Sequence, residues 1–135
     1  MFSFCWKTYK FIDKCLFLVI AIDIDAHKIE LARNNAEIYG VANRIEFIVG
    51  DFMELSNKLK ADRVFLSPPW GGPSYVNNVI YDLEEYLQPV PLSKLLTAAK
   101  NISDSIALFL PRNSDTYAVS YVLKIFISLR YVKDR

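Results

Sequence analysis

The organisation of this chain follows from the stretch Arg63–Tyr75, which has the sequence RVFLSPPWGGPSY. Its first four residues form a short, mostly apolar run that predicts a buried strand. Pro68 and Pro69 end that strand because a proline cannot donate a ladder hydrogen bond. Trp70 follows at once, and the two glycines after it let a flat ligand approach the backbone closely. A hydroxyl, fixed carbonyls and an aromatic ring at a strand end suit a planar base with an amino group; the alternative is a surface turn with Trp70 packed in the core.

The composition indicates one folded domain. The chain has 135 residues, and 53% of them are hydrophobic, which allows a real core and argues against disorder. A net charge of +1 does not indicate a broad DNA-coating surface, and a small nucleic-acid ligand remains open. Cys5, Cys15 and the single histidine, His27, lack the spacing of a zinc site, so we expect no metal. The apolar run Leu16–Ile22 is far shorter than the roughly 20 residues that span a bilayer, so we expect no membrane association.

Strand-like and helix-like patterns alternate along the chain, which predicts an α/β fold with a mostly parallel sheet. Asp25 is a predicted helix N-cap, and Gly40 stands where a helix would end. Asp115 is a predicted cap for a last helix through Lys124, and the stretch from Tyr75 to Pro91 is predicted to be an irregular, acidic insertion. The predicted strands are Leu18–Ile22, Ile45–Val49, Val64–Leu66 and Ile106–Leu110, and the predicted helices are Ala26–Tyr39 and Leu92–Ile102.

Polar side chains follow each predicted strand, and ligands of such sheets bind outside the carboxyl ends of the strands. Asp23 is placed to accept hydrogen bonds from the two hydroxyls of a ribose. Its alternative role as a helix cap is better served by Asp25. Asp51 is placed to accept from the exocyclic amine of adenine while Phe52 offers its ring. The alternative for Asp51 is an ordinary Gly-Asp turn.

The other two strand ends suit a second ligand. An aromatic amine is a poor nucleophile because its lone pair is delocalised, and two acceptors on its N–H groups favour a directed lone pair. The Ser67 hydroxyl and the Pro68 carbonyl are the candidates. Trp70 would stack on the base, and a cationic base such as 7-methylguanine would gain roughly 1–2 kcal/mol of cation–π attraction. Arg112, with Tyr75, is a candidate phosphate ligand; its alternative is a solvated residue after the strand.

Five segments together resemble the trimethylguanosine synthase family, in order and at the expected spacing, from about Leu18 to Asp115. The run SPPWGGP at residues 67–73 is the most specific of them, whereas the others are shared with many methyltransferases. The resembling segments are Val19–Asp25, Lys28–Glu37, Ile45–Phe52, Val64–Pro73 and Phe109–Asn113.

The resemblance implies a Rossmann-like methyltransferase fold and dimethylation of the guanine N2 on 7-methylguanosine RNA caps, with S-adenosyl-L-methionine as donor. Small nuclear and nucleolar RNAs are the implied substrates, and the nucleus, with the cytoplasm as a second location, is the implied compartment. By motif, one group of residues would bind the donor: Asp23, Asp51 and Phe52. A second group would orient the amine and stack on the base: Ser67, Pro68 and Trp70. A third group would contact the cap or its phosphates: Asn35, Tyr75 and Arg112.

The chain departs from the family at both ends, and at the C-terminal end the match fades downstream of Asp115. The family's catalytic domain begins with a strand and a glycine-rich loop that holds the methionine part of the donor. The four glycines of this chain, at positions 40, 50, 71 and 72, do not form such a loop. We therefore divide the chain into a divergent segment, 1–17, and an incomplete methyltransferase domain, 18–135. A missing first strand would leave an edge of the sheet unpaired.

Two further hypotheses remain, and the first of them belongs to a different class. The first is a catalytically inactive module that binds a nucleotide or a protein partner. The second is an amino methyltransferase that acts on DNA or on a protein glutamine. Ser67 before the two prolines, instead of Asn or Asp, and Trp70 after them disfavour this second hypothesis.

Overall fold

The computed structural model of the protein describes residues 2–11, 14–70, 80–115, 117, 119 and 120. Strands and helices alternate along most of this part of the chain, as predicted for an α/β fold. Short 3₁₀ turns at Ala42–Arg44 and Ser56–Lys58 follow α1 and α2. The elements are β1 (Phe2–Phe11), β2 (Lys14–Asp23), α1 (Ala26–Ile38), β3 (Ile45–Val49), α2 (Phe52–Leu55), β4 (Arg63–Ser67), α3 (Leu92–Ile102) and β5 (Ile106–Leu108).

The described strands form one sheet in the order β3-β2-β1-β4-β5. β3 is parallel to β2, and β5 is parallel to β4. β2 and β4 are both antiparallel to β1, so they run in the same direction as each other. The four strands that the sequence predicts are therefore mutually parallel, as expected, and their carboxyl ends meet at one edge of the sheet.

The N-terminal segment differs from the prediction, because it contains a strand, β1, that takes part in the sheet. β1 lies in the middle of the sheet, where Cys5 pairs with Ile20 of β2 on one side and with Val64 of β4 on the other. The expected unpaired edge is thus wrong, because β1 fills the position between the two parallel pairs. β2 also begins at Lys14, so the predicted division between residues 17 and 18 falls inside a strand.

The helix ends follow the local sequence. Asp25 caps α1, since its Oδ1 accepts from the backbone N–H groups of His27 at 3.0 Å and Lys28 at 3.4 Å. Gly40 has φ +69°, a left-handed conformation that suits glycine after a helix. Asp115 Oδ1 accepts from the N–H of Tyr117 at 2.8 Å, which confirms the predicted cap. The predicted end of that last helix lies outside the described residues.

The fourth predicted strand is shorter than expected. β5 ends at Leu108 instead of Leu110, although the Phe109 N–H still donates to the Leu66 carbonyl at 2.9 Å. Pro111 cannot continue the ladder, and the Ser114 N–H donates back to its carbonyl at 3.1 Å, so the chain turns there. This turn brings Arg112 close to the end of the strand.

The core is built on the buried residues of α3 and of the sheet. Leu95 and Leu96 of α3 are fully buried, and they belong to one cluster with Val64 and Leu66 of β4. α1 instead contacts β2 and β3, and it buries Ile29 and Ala36. No helix in the described part of the chain is long and apolar enough to cross a membrane.

The burial pattern predicts a large difference between two leucines. Leu96 is 0% exposed in α3, whereas Leu31 is 50% exposed in α1. We expect Leu96→Ala to lower the free energy of unfolding by about 2–5 kcal/mol, because it leaves a cavity in the core. Leu31→Ala makes the same chemical change in a helix and should alter it by less than about 1 kcal/mol. Urea unfolding followed by far-UV circular dichroism measures both, and equal losses would contradict the packing described.

Candidate functional site at the carboxyl edge of the sheet

The strand register places the ends of β2 and β4 level with each other. Ser3 of β1 pairs with Ile22 on one side and with Leu66 on the other. Asp23 and Ser67 each come one residue later, so both lie in the next row towards the carboxyl edge. Two strand spacings separate them, or about 10 Å, which is the scale of a bound small molecule. The predicted meeting of these two residues at one edge is therefore confirmed.

Asp23 is a buried carboxylate at the end of β2. It is 1% exposed, and its Oδ1 accepts from the backbone N–H of Asp25 at 2.8 Å. Its own carbonyl accepts from the N–H of Gly50 at 3.0 Å, which ties the end of β2 to the end of β3. The carboxylate is thus held firmly at the edge, while Asp25 caps α1.

Asp51 and Phe52 follow β3, where α2 begins. Asp51 Oδ1 accepts from the N–H of Met53 at 2.8 Å, so this side chain caps α2. A carboxylate has two oxygens with several lone pairs, and capping leaves room for a second acceptor role. Phe52 is 2% exposed and packs in the main core cluster, so its ring presents no open face in this structure. The stacking of Phe52 on a ligand stays a prediction.

The Pro-Pro-Trp segment leaves the sheet directly after Ser67. Ser67 is half-buried at the end of β4, Pro68 is buried and Pro69 is exposed. Trp70 is partly exposed, and its ring lies 5.0 Å from that of Phe109, at an interplanar angle of 40°. A second aromatic ring thus supports Trp70 from one side, and Trp70 also packs against the main core cluster, which matches the alternative of a core residue. The stacking of Trp70 on a base stays a prediction.

The remaining predicted residues are not all brought to this edge. Arg112 is exposed in the turn after β5, close to the carboxyl edge. Asn35 is exposed near the end of α1, about 14 Å along a helix that starts at that edge and leads away from it. The structure therefore does not place Asn35 with the others. Tyr75 lies outside the described residues, as do the two glycines after Trp70.

Sequence analysis missed Tyr81, which connects the Pro-Pro-Trp segment to the turn after β5. It is 2% exposed, and its hydroxyl donates to the carbonyl oxygens of Tyr86 at 2.9 Å and Trp70 at 3.3 Å. Burial raises the pKa of Tyr81, so the hydroxyl keeps its proton at neutral pH. Tyr81, Leu83 and Leu87 are buried within the acidic insertion, and their apolar spacing was the available signal.

A shallow groove of about 360 Å³ lies elsewhere, between the α2 region and α3. Met53, Asn57, Thr97 and Asn101 are among its lining residues, and none of the predicted site residues lines it. Among the described residues, no group of three or more His, Cys, Asp and Glu side chains is arranged to hold a metal ion. The carboxyl edge therefore remains the candidate site, since it gathers the strand-end residues.

Comparisons with known proteins find two trimethylguanosine synthases that are similar to most of this chain. The chain is 40% identical over 107 residues to the trimethylguanosine synthase of Saccharomyces cerevisiae, which covers 76% of this chain and 34% of that protein. It is 42% identical over 121 residues to the trimethylguanosine synthase of Schizosaccharomyces pombe, which covers 84% of this chain and 49% of that protein. A weaker similarity, 33% over 75 residues, covers 56% of this chain and 10% of ribosomal RNA large subunit methyltransferase K/L of Shewanella frigidimarina.

The chain therefore spans about a third to a half of the length of the two yeast relatives. A family model described as RNA cap guanine-N2 methyltransferase matches residues 7–132, which include nearly all the described strands and helices. This chain belongs to the RNA cap guanine-N2 methyltransferase family.

Proposed function

We propose that this chain belongs to an enzyme that methylates the guanine N2 of 7-methylguanosine RNA caps to give the 2,2,7-trimethylated form. In this proposal the chain contains the residues that bind the cap. The observation that supports this most is the placement of Ser67, Pro68 and Trp70 at the same sheet edge as Asp23. The membership of the chain in the cap guanine-N2 methyltransferase family supplies the reaction class.

The family implies a methyl donor, and we propose that it is S-adenosyl-L-methionine. When bound, it supplies an electrophilic methyl group. The nucleoside half fits the chain, because the buried Asp23 offers a carboxylate to a ribose and Asp51 offers an acceptor next to it. The methionine half has no glycine-rich loop to hold it. Gly40 follows α1 and Gly50 follows β3, and the other two glycines, at 71 and 72, follow Trp70.

The guanine amine is proposed to meet Ser67 and Pro68. The Ser67 hydroxyl and the Pro68 carbonyl would accept the two N–H groups of the amine, which favours a lone pair directed at the methyl group. Trp70 would stack on the 7-methylguanine ring, whose positive charge adds cation–π attraction. Arg112 is exposed beside this edge and would pair with the cap phosphates.

Small nuclear and nucleolar RNAs are the proposed substrates, and the nucleus, with the cytoplasm as a second location, is the proposed compartment. Both proposals rest on the sequence resemblance, which implies these RNAs as the typical acceptors and the nucleus, with the cytoplasm as a second location, as the compartment.

We expect Trp70→Ala to weaken binding of 7-methylguanosine diphosphate roughly 5- to 30-fold, which corresponds to a cation–π contact of about 1–2 kcal/mol. Binding of S-adenosylhomocysteine should change much less, since the donor residues lie two strands away. Trp70→Phe keeps an aromatic face and should give an intermediate loss. Tyr39→Ala removes an aromatic ring that is 81% exposed after α1, and it serves as the control. Calorimetry measures all of these affinities, and equal losses for both ligands would contradict the role of Trp70.

The 135-residue chain alone should methylate a cap analogue at least about 100-fold more slowly than the Saccharomyces cerevisiae relative. Methyl transfer needs atoms held about 3 Å apart, and a misplacement of about 1 Å costs about 100-fold. The four glycines of the chain do not form a glycine-rich loop, and in the part of the chain that the structure describes no other segment takes its place.

A chimaera that carries the family's first strand and glycine-rich loop in place of residues 1–13 tests the proposal directly. It should methylate 7-methylguanosine-capped RNA at N2 and leave RNA with an unmethylated cap unchanged. A folded chimaera that binds the donor but methylates neither RNA would overturn the proposed function. Rapid turnover by the unmodified chain would instead show that the hairpin of β1 and β2 supplies the missing donor contacts.

A further inference from the structure

Tyr81 is the buried centre of an otherwise polar segment. It is 2% exposed, whereas its neighbours Asp82, Glu84 and Glu85 are exposed. A buried tyrosine hydroxyl normally has a hydrogen-bond partner, and here the hydroxyl donates to the Tyr86 carbonyl and reaches the Trp70 carbonyl. The single proton is shared between two acceptors, so the hydroxyl links the Trp70 backbone to the segment that follows it.

The backbone of Tyr81 makes a second link, to the turn after β5. Its N–H donates to the Asn113 carbonyl at 2.8 Å, and its carbonyl accepts from the Asp115 N–H at 3.1 Å. These two bonds form a parallel bridge between Tyr81 and Ser114. Arg112 precedes this bridged stretch by one residue, so Tyr81 contacts the surroundings of both proposed cap-binding side chains.

The segment that carries Tyr81 is itself attached to α3. The Leu92 N–H donates to the Leu83 carbonyl at 3.2 Å. The Glu84 carboxylate accepts from the Ser93 N–H at 2.7 Å and from the Ser93 hydroxyl at 2.8 Å. α3 is packed into the core, so Tyr81 is fixed from the helix side and can position what it touches.

We propose that Tyr81 is a positioning residue of the cap site, whose hydroxyl fixes the Trp70 backbone and so the stacking ring. Its backbone bridge holds the Arg112 turn at a constant distance from that ring. The Trp70 ring and the Arg112 side chain can then contact the base and the phosphates of one 7-methylguanosine nucleotide at the same time. This inference rests on the proposed function and adds a residue that does not touch the ligand.

The test compares Tyr81→Phe with Tyr86→Phe. Both remove one tyrosine hydroxyl, and the two rings lie 5.6 Å apart, but only the Tyr81 hydroxyl reaches Trp70. We expect Tyr81→Phe to weaken binding of 7-methylguanosine diphosphate roughly two- to tenfold, the range for one hydrogen bond, with binding of S-adenosylhomocysteine unchanged. Tyr86→Phe should leave both affinities unchanged.

A double-mutant cycle separates positioning from general stabilisation. In a Trp70→Ala background there is no ring to position, so Tyr81→Phe should cause no further loss of cap binding. Any change that Tyr81→Phe causes in the midpoint of urea unfolding should be the same in the Trp70→Ala background. A loss of cap binding by Tyr81→Phe that is just as large without the Trp70 ring would overturn the inference.

A ligand-free measurement keeps this inference distinct from the proposed function. The chain has two tryptophans, Trp6 and Trp70, and ¹⁹F NMR of the 5-fluorotryptophan-labelled protein reports on each. Tyr81→Phe should shift or broaden the Trp70 resonance and leave that of Trp6 in place. An unchanged Trp70 resonance would overturn the positioning role. Failure of the wild-type chain to bind any 7-methylguanosine ligand, with the Trp70 resonance responding as expected, would instead overturn the proposed function and leave Tyr81 as a residue that positions the Trp70 ring.

Discussion

The pairing of β1 with both β2 and β4 is the constraint on which the rest of this structure depends. Without that strand the described residues contain two separate parallel pairs, β2 with β3 and β4 with β5. β1 hydrogen-bonds to both pairs and is antiparallel to each, which forces β2 and β4 to run in the same direction. Because they do, Asp23 and Ser67 lie level at one edge. The pairing of the strands therefore determines where the residues of the candidate site lie, because it fixes which strand ends share one edge of the sheet.

This arrangement also explains how the chain departs from the family pattern that its sequence suggests. In that family pattern, a parallel first strand would lead into a loop at the carboxyl edge. β1 runs the other way, so its first residues, beginning at Phe2, lie at that edge beside Ser67. The hairpin thus completes the sheet without supplying a glycine-rich loop. The N-terminal residues therefore contribute a central strand of the described sheet, in place of the glycine-rich segment that the family pattern suggests.

Much of the fold could be predicted because its signals are local. Asp25 and Gly40 mark the ends of α1 through their own backbone preferences, and the apolar runs mark four strands. β1 was missed because its pairing partners are distant in sequence, although Phe2, Phe4 and Trp6 alternate with more polar residues at the period of a strand.

The candidate site could likewise be predicted only where its signals are local. Asp23 and Ser67 could be placed at one edge, since strand direction alone decides it. Burial could not be predicted from a motif: Phe52 packs in the core, and Asn35 lies far along α1. Tyr81 was missed because its importance comes from contacts with Trp70 and the Asn113–Asp115 turn, which only the tertiary structure reveals.

Amide hydrogen exchange of the 135-residue chain tests the central place of β1 most directly. Residues Ser3–Trp6 have a strand on each side, whereas Lys7–Phe11 pair with β2 alone in the described part of the chain. The account predicts slow exchange for every amide from Ser3 to Trp6, and slow exchange for only alternate amides from Lys7 to Phe11, because neighbouring residues of an antiparallel strand bond to opposite sides. Fast exchange throughout residues 3–6, with protected amides in β2 and β4, would show that β1 does not join the two parallel pairs and would contradict the account.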